Sequence, residues 1–364
     1  MNELQKTADQ QTSLLNTKTH FQLLDGLRGV AAVAVVVFHF MEIAVPDFTV
    51  NFIAHGYLAV DFFFCLSGFV IAYAYDKRIA GLSLWQFFKL RLIRLQPLVV
   101  IGAVLGLLTF LFDPFHNLYA AKGPLQTILM FLSAALLIPY PSIPERYNNL
   151  FYMNAPVWSL FWEYIANIAY ALLFWKMNRN MHKVLLAAAA LLLIWSAFHY
   201  GHLSTGWGAD TYPGGGIRVL FSFVAGMMVY RFNWIIKNKL SFPVLALMLL
   251  ASFLLPFVES INKVTEPLLV IFYFPLLIAL AAGTQVKPMY ERICKFSGDI
   301  SYPLYMIHYP FIWVYLSYME VYKPSMDLLK ILIPLFTVVL MLMAWLTMKY
   351  IDYPIRRYLA GKKG

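Results

Sequence analysis

Charge is what this sequence has least of. Only 13% of its 364 residues are Asp, Glu, Lys or Arg, while 61% are hydrophobic and 17% aromatic, and the mean hydropathy is +0.68. A soluble domain carries about 25% charged residues, so an ordinary water-soluble fold is excluded. Cysteine is nearly absent too. Cys65 and Cys294 cannot build a disulfide framework, and both read as small packing residues. The first twenty residues lack the apolar core of a secretory signal and read as a polar N-terminal tail, 1–20. No repeat with a period of 20–50 residues is visible, which argues against a solenoid or a repeat-built transporter. Nor is there a basic stripe interleaved with stacking aromatics. The net charge of +10 therefore does not point to nucleic acid.

What is present is long apolar sequence. Runs such as Leu98–Phe112, Val184–Trp195 and Ile331–Thr347 are nearly free of charge and do not alternate, a pattern suited to lipid. Eleven stretches can be read, at 29–45, 56–75, 98–112, 125–139, 157–175, 184–200, 217–230, 242–258, 268–283, 301–319 and 328–350. If all crossed from a cytoplasmic N-terminus, Lys and Arg would divide 13 inside against 15 outside. If one short stretch, 98–112 or 125–139, fails to cross, the division becomes 22 inside against 6 outside, which accounts for all 28. The positive-inside rule selects that second arrangement. The expected fold is an all-α polytopic membrane protein with ten transmembrane helices and both termini cytoplasmic. Stretch 125–139 is expected as a short re-entrant or interfacial helix, because it is flanked by Gly123-Pro124 and Pro139-Tyr140-Pro141. One transmembrane domain is expected over 21–358, with a basic tail at 359–364.

Ionisable residues inside such spans are expensive and need partners. Arg28 and His39 lie eleven positions apart in the first span, about 20° from three full turns and roughly 16 Å along one helix face. A snorkelling arginine plus a core histidine is the plain alternative. The segment from Lys77 to Arg94 reads as cytoplasmic. Within it Arg91 and Arg94 form an i,i+3 pair on an expected interfacial helix, either a topology signal or an anion clamp. Asp61 opens the second span, and either orients His39 or neutralises a cation. Ser67-Gly68 permits a kink or a close helix approach. His39, Asp61 and Glu163, from three helices, share the outer half and are expected to meet one another or a water-filled cavity. Trp158 and Ser159 precede Glu163 on a helix started by Pro156, and His308 sits near mid-membrane with Pro310 two residues on. No metal site is read from these residues.

Taken together, the residues resemble the acyltransferase-3 family of bacterial membrane proteins, which O-acylate envelope and exported glycans and some small molecules. Arg28 and His39 match its motif of Arg or Lys, ten residues, then His, and Arg91 and Arg94 match its paired arginines. Val60-Asp61-Phe62-Phe63 with Leu66-Ser67-Gly68-Phe69, Trp158-Ser159-Leu160 with Glu163, the block Ser301–His308 and the closing 351–357 segment follow in family order. Gly214-Gly215-Gly216 and Gly226 lie closer together than the family's glycines do, so they receive no role. The resemblance implies acyl-CoA, most simply acetyl-CoA, as a donor substrate docking from the cytoplasm on Arg28, Arg91 and Arg94. No permanently bound cofactor is implied. A carbohydrate or glycolipid acceptor would arrive from the outer side of a bacterial inner membrane. His39 would be the general base, oriented by Asp61 or Glu163, while Trp158, Ser159 and His308 would serve the acceptor side or the structure. Two other classes compete: a transporter or flippase for a lipid-linked or anionic substrate, and a polyprenyl-phosphate-sugar glycosyltransferase. The latter would be expected to have more acid in the 46–55 loop than Asp47 alone.

Overall fold

The computed structural model describes residues 21–141 and 143–361, so the expected tail 1–20 and residues 362–364 lie outside the described residues. Among the described residues the chain is helical, and its only β-type pairings are two isolated bridges, Asn149 with Gly208 and Asn238 with Thr284. The helices, in order, are α1 (Gln22–Ala44), α2 (Ala59–Tyr75), α3 (Leu84–Leu111), α4 (Leu118–Leu136), α5 (Val157–Leu172), α6 (Arg179–Tyr200) and α7 (Tyr212–Arg231). Next come α8 (Phe242–Phe253), α9 (Glu259–Leu268), which runs through a π-helical turn (Leu269–Tyr273) into α10 (Phe274–Ala282), and α11 (Pro288–Tyr322). Last are α12 (Met326–Thr347), a second π-helical turn (Met348–Asp352) and α13 (Tyr353–Leu359).

Among the described residues, eight helical segments are long and apolar enough to cross a bilayer, and the chain is a multi-pass membrane protein. Perimeter helices turn their large apolar residues outward, as Val100, Val104 and Leu108 on α3, Leu191 and Trp195 on α6, and Val338 and Leu342 on α12 do. Such a surface is stable only in lipid.

Two helix pairs form the centre, α1 against α11 and α2 against α7. Both cross on glycine. A Cβ on Gly29 would lie 2.4 Å from that of Ser297, and one on Gly68 would lie 1.9 Å from the Phe223 carbonyl oxygen. Ser67-Gly68 therefore marks a close approach rather than a kink. Gly226 repeats the contact from the other side, 1.8 Å from the Cys65 carbonyl.

Prolines inside α11 are accommodated rather than disruptive. Pro310 has no N–H for the carbonyl of Met306, and that carbonyl accepts from Asn154 Nδ2 at 2.7 Å. The helix stays continuous past His308, and the freed carbonyl ties the 152–154 turn to it.

One expectation changes, and the bounds of another shift. Arg91 and Arg94 do not sit on a separate interfacial helix. They belong to the first turns of α3, whose start is set by a capping box between Ser83 and Gln86 and which continues through Pro97. Stretch 125–139 becomes α4, broken at Gly123 (φ 73°) and ended by Leu137 in the left-handed region (φ 60°). Its two flanks converge on one end of α11. Ser317 Oγ donates to Asp113 Oδ2 at 2.7 Å, and Arg146 Nη2 donates to the same hydroxyl at 2.9 Å. The chain leaves and returns at the same end.

Candidate active site

Two cavities lie end to end between the central helices. The first, of about 290 Å³, occupies the Arg28 end of α1. The second, of about 270 Å³, occupies the His39 end. Val60 and Tyr305 line both.

The Arg28 chamber is lined by four guanidinium groups from three helices: Arg28 (α1), Arg91 and Arg94 (α3) and Arg356 (α13), facing Glu163 from α5 and Asp299 from α11. Arg28 is held by Ser301 Oγ and the Gly298 carbonyl, each at 2.9 Å, and by Asp25 at 2.9 Å. Those contacts exist because Gly29 and Gly298 bring α1 and α11 together. Arg356 is fixed by two bonds to Asp352, which the π-helical turn buries completely. Arg91 is buried and donates to Glu163 Oε1 at 3.1 Å, and the same oxygen accepts from Ser67 Oγ at 2.7 Å. Arg94 is exposed to the chamber and has no carboxylate within 4.0 Å among the described residues. An unpaired guanidinium in a partly closed cavity is a ready partner for an anion.

The His39 chamber is built differently. Much of its wall is aromatic, with Phe48, Tyr57, Trp158, Trp207, Tyr309 and Trp313 among its members. His39 Nδ1 donates to Glu42 Oε1 at 2.6 Å. Its ring stacks on His308 at 5.3 Å between centroids and meets the edge of Tyr309 at 4.8 Å. His308 is itself fixed, with Nδ1 at 3.0 and 2.9 Å from the carbonyls of Leu304 and Tyr305. The carboxylate on Nδ1 sets the tautomer that leaves His39 Nε2 with a free lone pair.

The expected outer-half cluster is not formed among the described residues. Asp61 does not meet His39. It is fully buried and pairs with Arg218, at 2.6 Å to Nη2 and 3.1 Å to Nε. Arg218 also donates to the carbonyls of Thr205 and Tyr57, and its guanidinium lies 5.3 Å from the Trp158 ring. Glu163 does not meet His39 either, because it lies in the other chamber on Arg91. Each carboxylate has a nearer cation, and a charge buried in a low-dielectric interior takes the partner that satisfies it fully. Ser159 Oγ sits 2.8 Å from Tyr305 Oη. Glu42, Arg218, Tyr305 and Arg356 escaped the sequence reading as site members, Arg356 having entered only as part of the closing 351–357 segment. Glu42 carries a usable signal, an acid at i+3 from His39 on the same face. Arg218 is marked only by being an arginine inside an apolar run, and Tyr305 by nothing local. Gly215, left without a role, lets α7 approach Trp162 and Gly206 of the loop after α6.

An acyltransferase-domain family model matches residues 21–349. A protein of Rhizobium radiobacter named "Protein 2 in picA locus" is 34% identical over 195 residues, covering 50% of this chain and 96% of that protein. No solved structure matches. The chain belongs to the acyltransferase-3 family and is a membrane acyltransferase.

Proposed function

We propose that the protein transfers an acyl group, most simply acetyl, from acyl-CoA to a hydroxyl of an envelope or exported carbohydrate, across the membrane that holds it. The observation that carries this reading is the pair of chambers placed end to end, cationic on one side of Val60 and Tyr305 and basic-aromatic on the other. Four arginines suit the phosphates of CoA, which need bidentate donors. Arg28 and His39 are separated by roughly 16 Å of helix, the reach of a pantetheine arm. The thioester then arrives at the imidazole from the arginine side. An aromatic-walled chamber suits the C–H faces of a sugar ring, with Glu42 and Asn149 at its wall as polar partners.

The chemistry follows from these positions. His39 Nε2 takes the proton of the acceptor hydroxyl as its oxygen attacks the thioester carbonyl, and the carbon–sulfur bond breaks. The proton passes to the departing thiolate, so ester and CoA thiol are the products. Glu42 holds the imidazolium that forms between the two steps, a role worth about 10²–10⁴-fold for the base it supports.

The bacterial inner membrane is the proposed location, with ten crossings and both termini in the cytoplasm. Eight segments meet the length and apolarity of a span; α8 and α11 would complete ten, with α4 returning to the side it left. The cytoplasmic excess of Lys and Arg supports an arginine chamber that faces the CoA side. The test uses inside-out membrane vesicles given acetyl-CoA labelled in the acetyl group. Label should appear in glycan inside the vesicles. Absence of transfer, or transfer only when donor is supplied from the other face, would overturn the reading.

A further inference from the structure

The two chambers meet at side chains that line both of them. Val60 and Tyr305 are both buried and face both cavities. Tyr305 lies on α11 four residues after Ser301, which holds Arg28, and three before His308, which stacks on His39. At 1.5 Å per residue it stands about 6 Å beyond the first and 4.5 Å short of the second. That is the stretch a thioester has to pass to reach His39. Its ring is not free to swing. Ser159 Oγ–H donates to the Pro156 carbonyl at 2.9 Å, so the Tyr305 hydroxyl is the donor in its 2.8 Å bond to Ser159 Oγ. Phe63 packs edge-on to the Tyr305 ring at 5.6 Å, and His308 lies 5.9 Å away on another side.

We infer that Val60 and the hydrogen-bonded Tyr305 form a neck that selects the acyl group by its cross-section, so the protein uses unbranched acyl thioesters and rejects branched or aryl ones. This rests on the acyl-CoA reading above. The acyl group leads the pantetheine arm through the wall, and the wall is set by side chains locked on three sides. A straight chain presents one methylene width whatever its length. A branch at the α-carbon adds a methyl abreast of the carbonyl, where Val60 and the Tyr305 ring stand. Packed sites discriminate a single added methyl by about tenfold or more. Ser159 acts here as the residue that holds Tyr305 across the path.

n-Butyryl-CoA and isobutyryl-CoA separate width from size, since they have the same atoms. Transfer of labelled acyl to endogenous glycan is measured in inside-out vesicles for wild type, Val60→Ala, Tyr305→Ala and Tyr305→Phe at matched protein amounts. Wild type should prefer n-butyryl over isobutyryl by about tenfold or more. Val60→Ala and Tyr305→Ala should bring the ratio near one, while Tyr305→Phe, which keeps the ring, should retain most of it. If Tyr305→Ala does not accumulate as folded protein, Val60→Ala alone decides. A wild type without preference, or a preference unmoved by Val60→Ala, overturns the neck while acetyl transfer still stands. Failure of wild type to transfer any acyl group, acetyl included, overturns the acyl-CoA reading itself.

Discussion

The two chambers differ in how their charge is held, and that difference separates binding from chemistry. In the Arg28 chamber, Arg28 and Arg91 lean on a carbonyl and a carboxylate of neighbouring helices, Arg356 leans on Asp352 of its own helical run, and Arg94 is left facing the cavity. Its excess charge belongs to the wall and waits for an anion. In the His39 chamber the one strongly buried cation, Arg218, is consumed by Asp61, and the working group is an imidazole pinned by Glu42 and His308. One end offers charge without a base, the other a base without spare charge. A protein that only bound an anion would need the first; an acyl transfer needs both, joined.

Mutations at opposite ends should therefore fail in opposite ways. The largest effect is expected from His39→Ala, which should lower acyl transfer by about 10²–10⁴-fold while acyl-CoA binding survives, because the arginines are untouched. Transfer and donor binding are measured on matched amounts of membrane protein. More than about a tenth of wild-type turnover in that variant would reduce His39 to a structural residue and erase the contrast.

The converse variant carries Arg91→Ala with Arg94→Ala. Each lost charge-assisted hydrogen bond costs about 1.5–3 kcal/mol, so acyl-CoA should bind about 10²-fold or more weakly. Turnover at saturating donor should change far less. Titration calorimetry with acetyl-CoA on detergent-solubilised protein gives the first quantity, and initial rates at high donor give the second. Equal loss in KM-type and kcat-type terms would mean that the two chambers are not separable.

The smallest effect has a sign that sharpens the comparison. Glu163 sits on Arg91 in the donor chamber, so Glu163→Gln should release that guanidinium to the phosphates. A partly exposed ion pair is worth up to about 1 kcal/mol, which predicts acetyl-CoA binding about two- to fivefold tighter in the same calorimetric assay. Weaker binding would return Glu163 to the acid-base group in which its position along the chain first placed it.

How far the sequence alone reached depends on the range of the interaction. His39 and Arg28 on one face of α1 follow from helical periodicity, since 3.6 residues per turn relates positions eleven apart whatever surrounds them. The helical class and the membrane setting follow from composition, because 13% charge leaves no other solvent. Family order of the motifs pointed to the chemistry. None of these depends on which helix is whose neighbour.

The partners of buried charges do depend on it. Asp61 and Glu163 had the right depth to reach His39, yet Arg218 claims Asp61 from 157 residues away and Arg91 claims Glu163 from 72. Sequence assigns depth along a helix axis, but the azimuth at which helices meet is set by close crossings such as Gly68 on Phe223 and Gly29 on Ser297. Those crossings decided which carboxylate faced which cation. They also left Glu42, three residues from His39 on the same helix, as the group that holds the imidazole. Composition and periodicity determined that this is a membrane protein with a histidine and an arginine on one face. Only packing decided that they open into two different rooms, because a buried charge pairs with whatever the tertiary structure brings within hydrogen-bond reach.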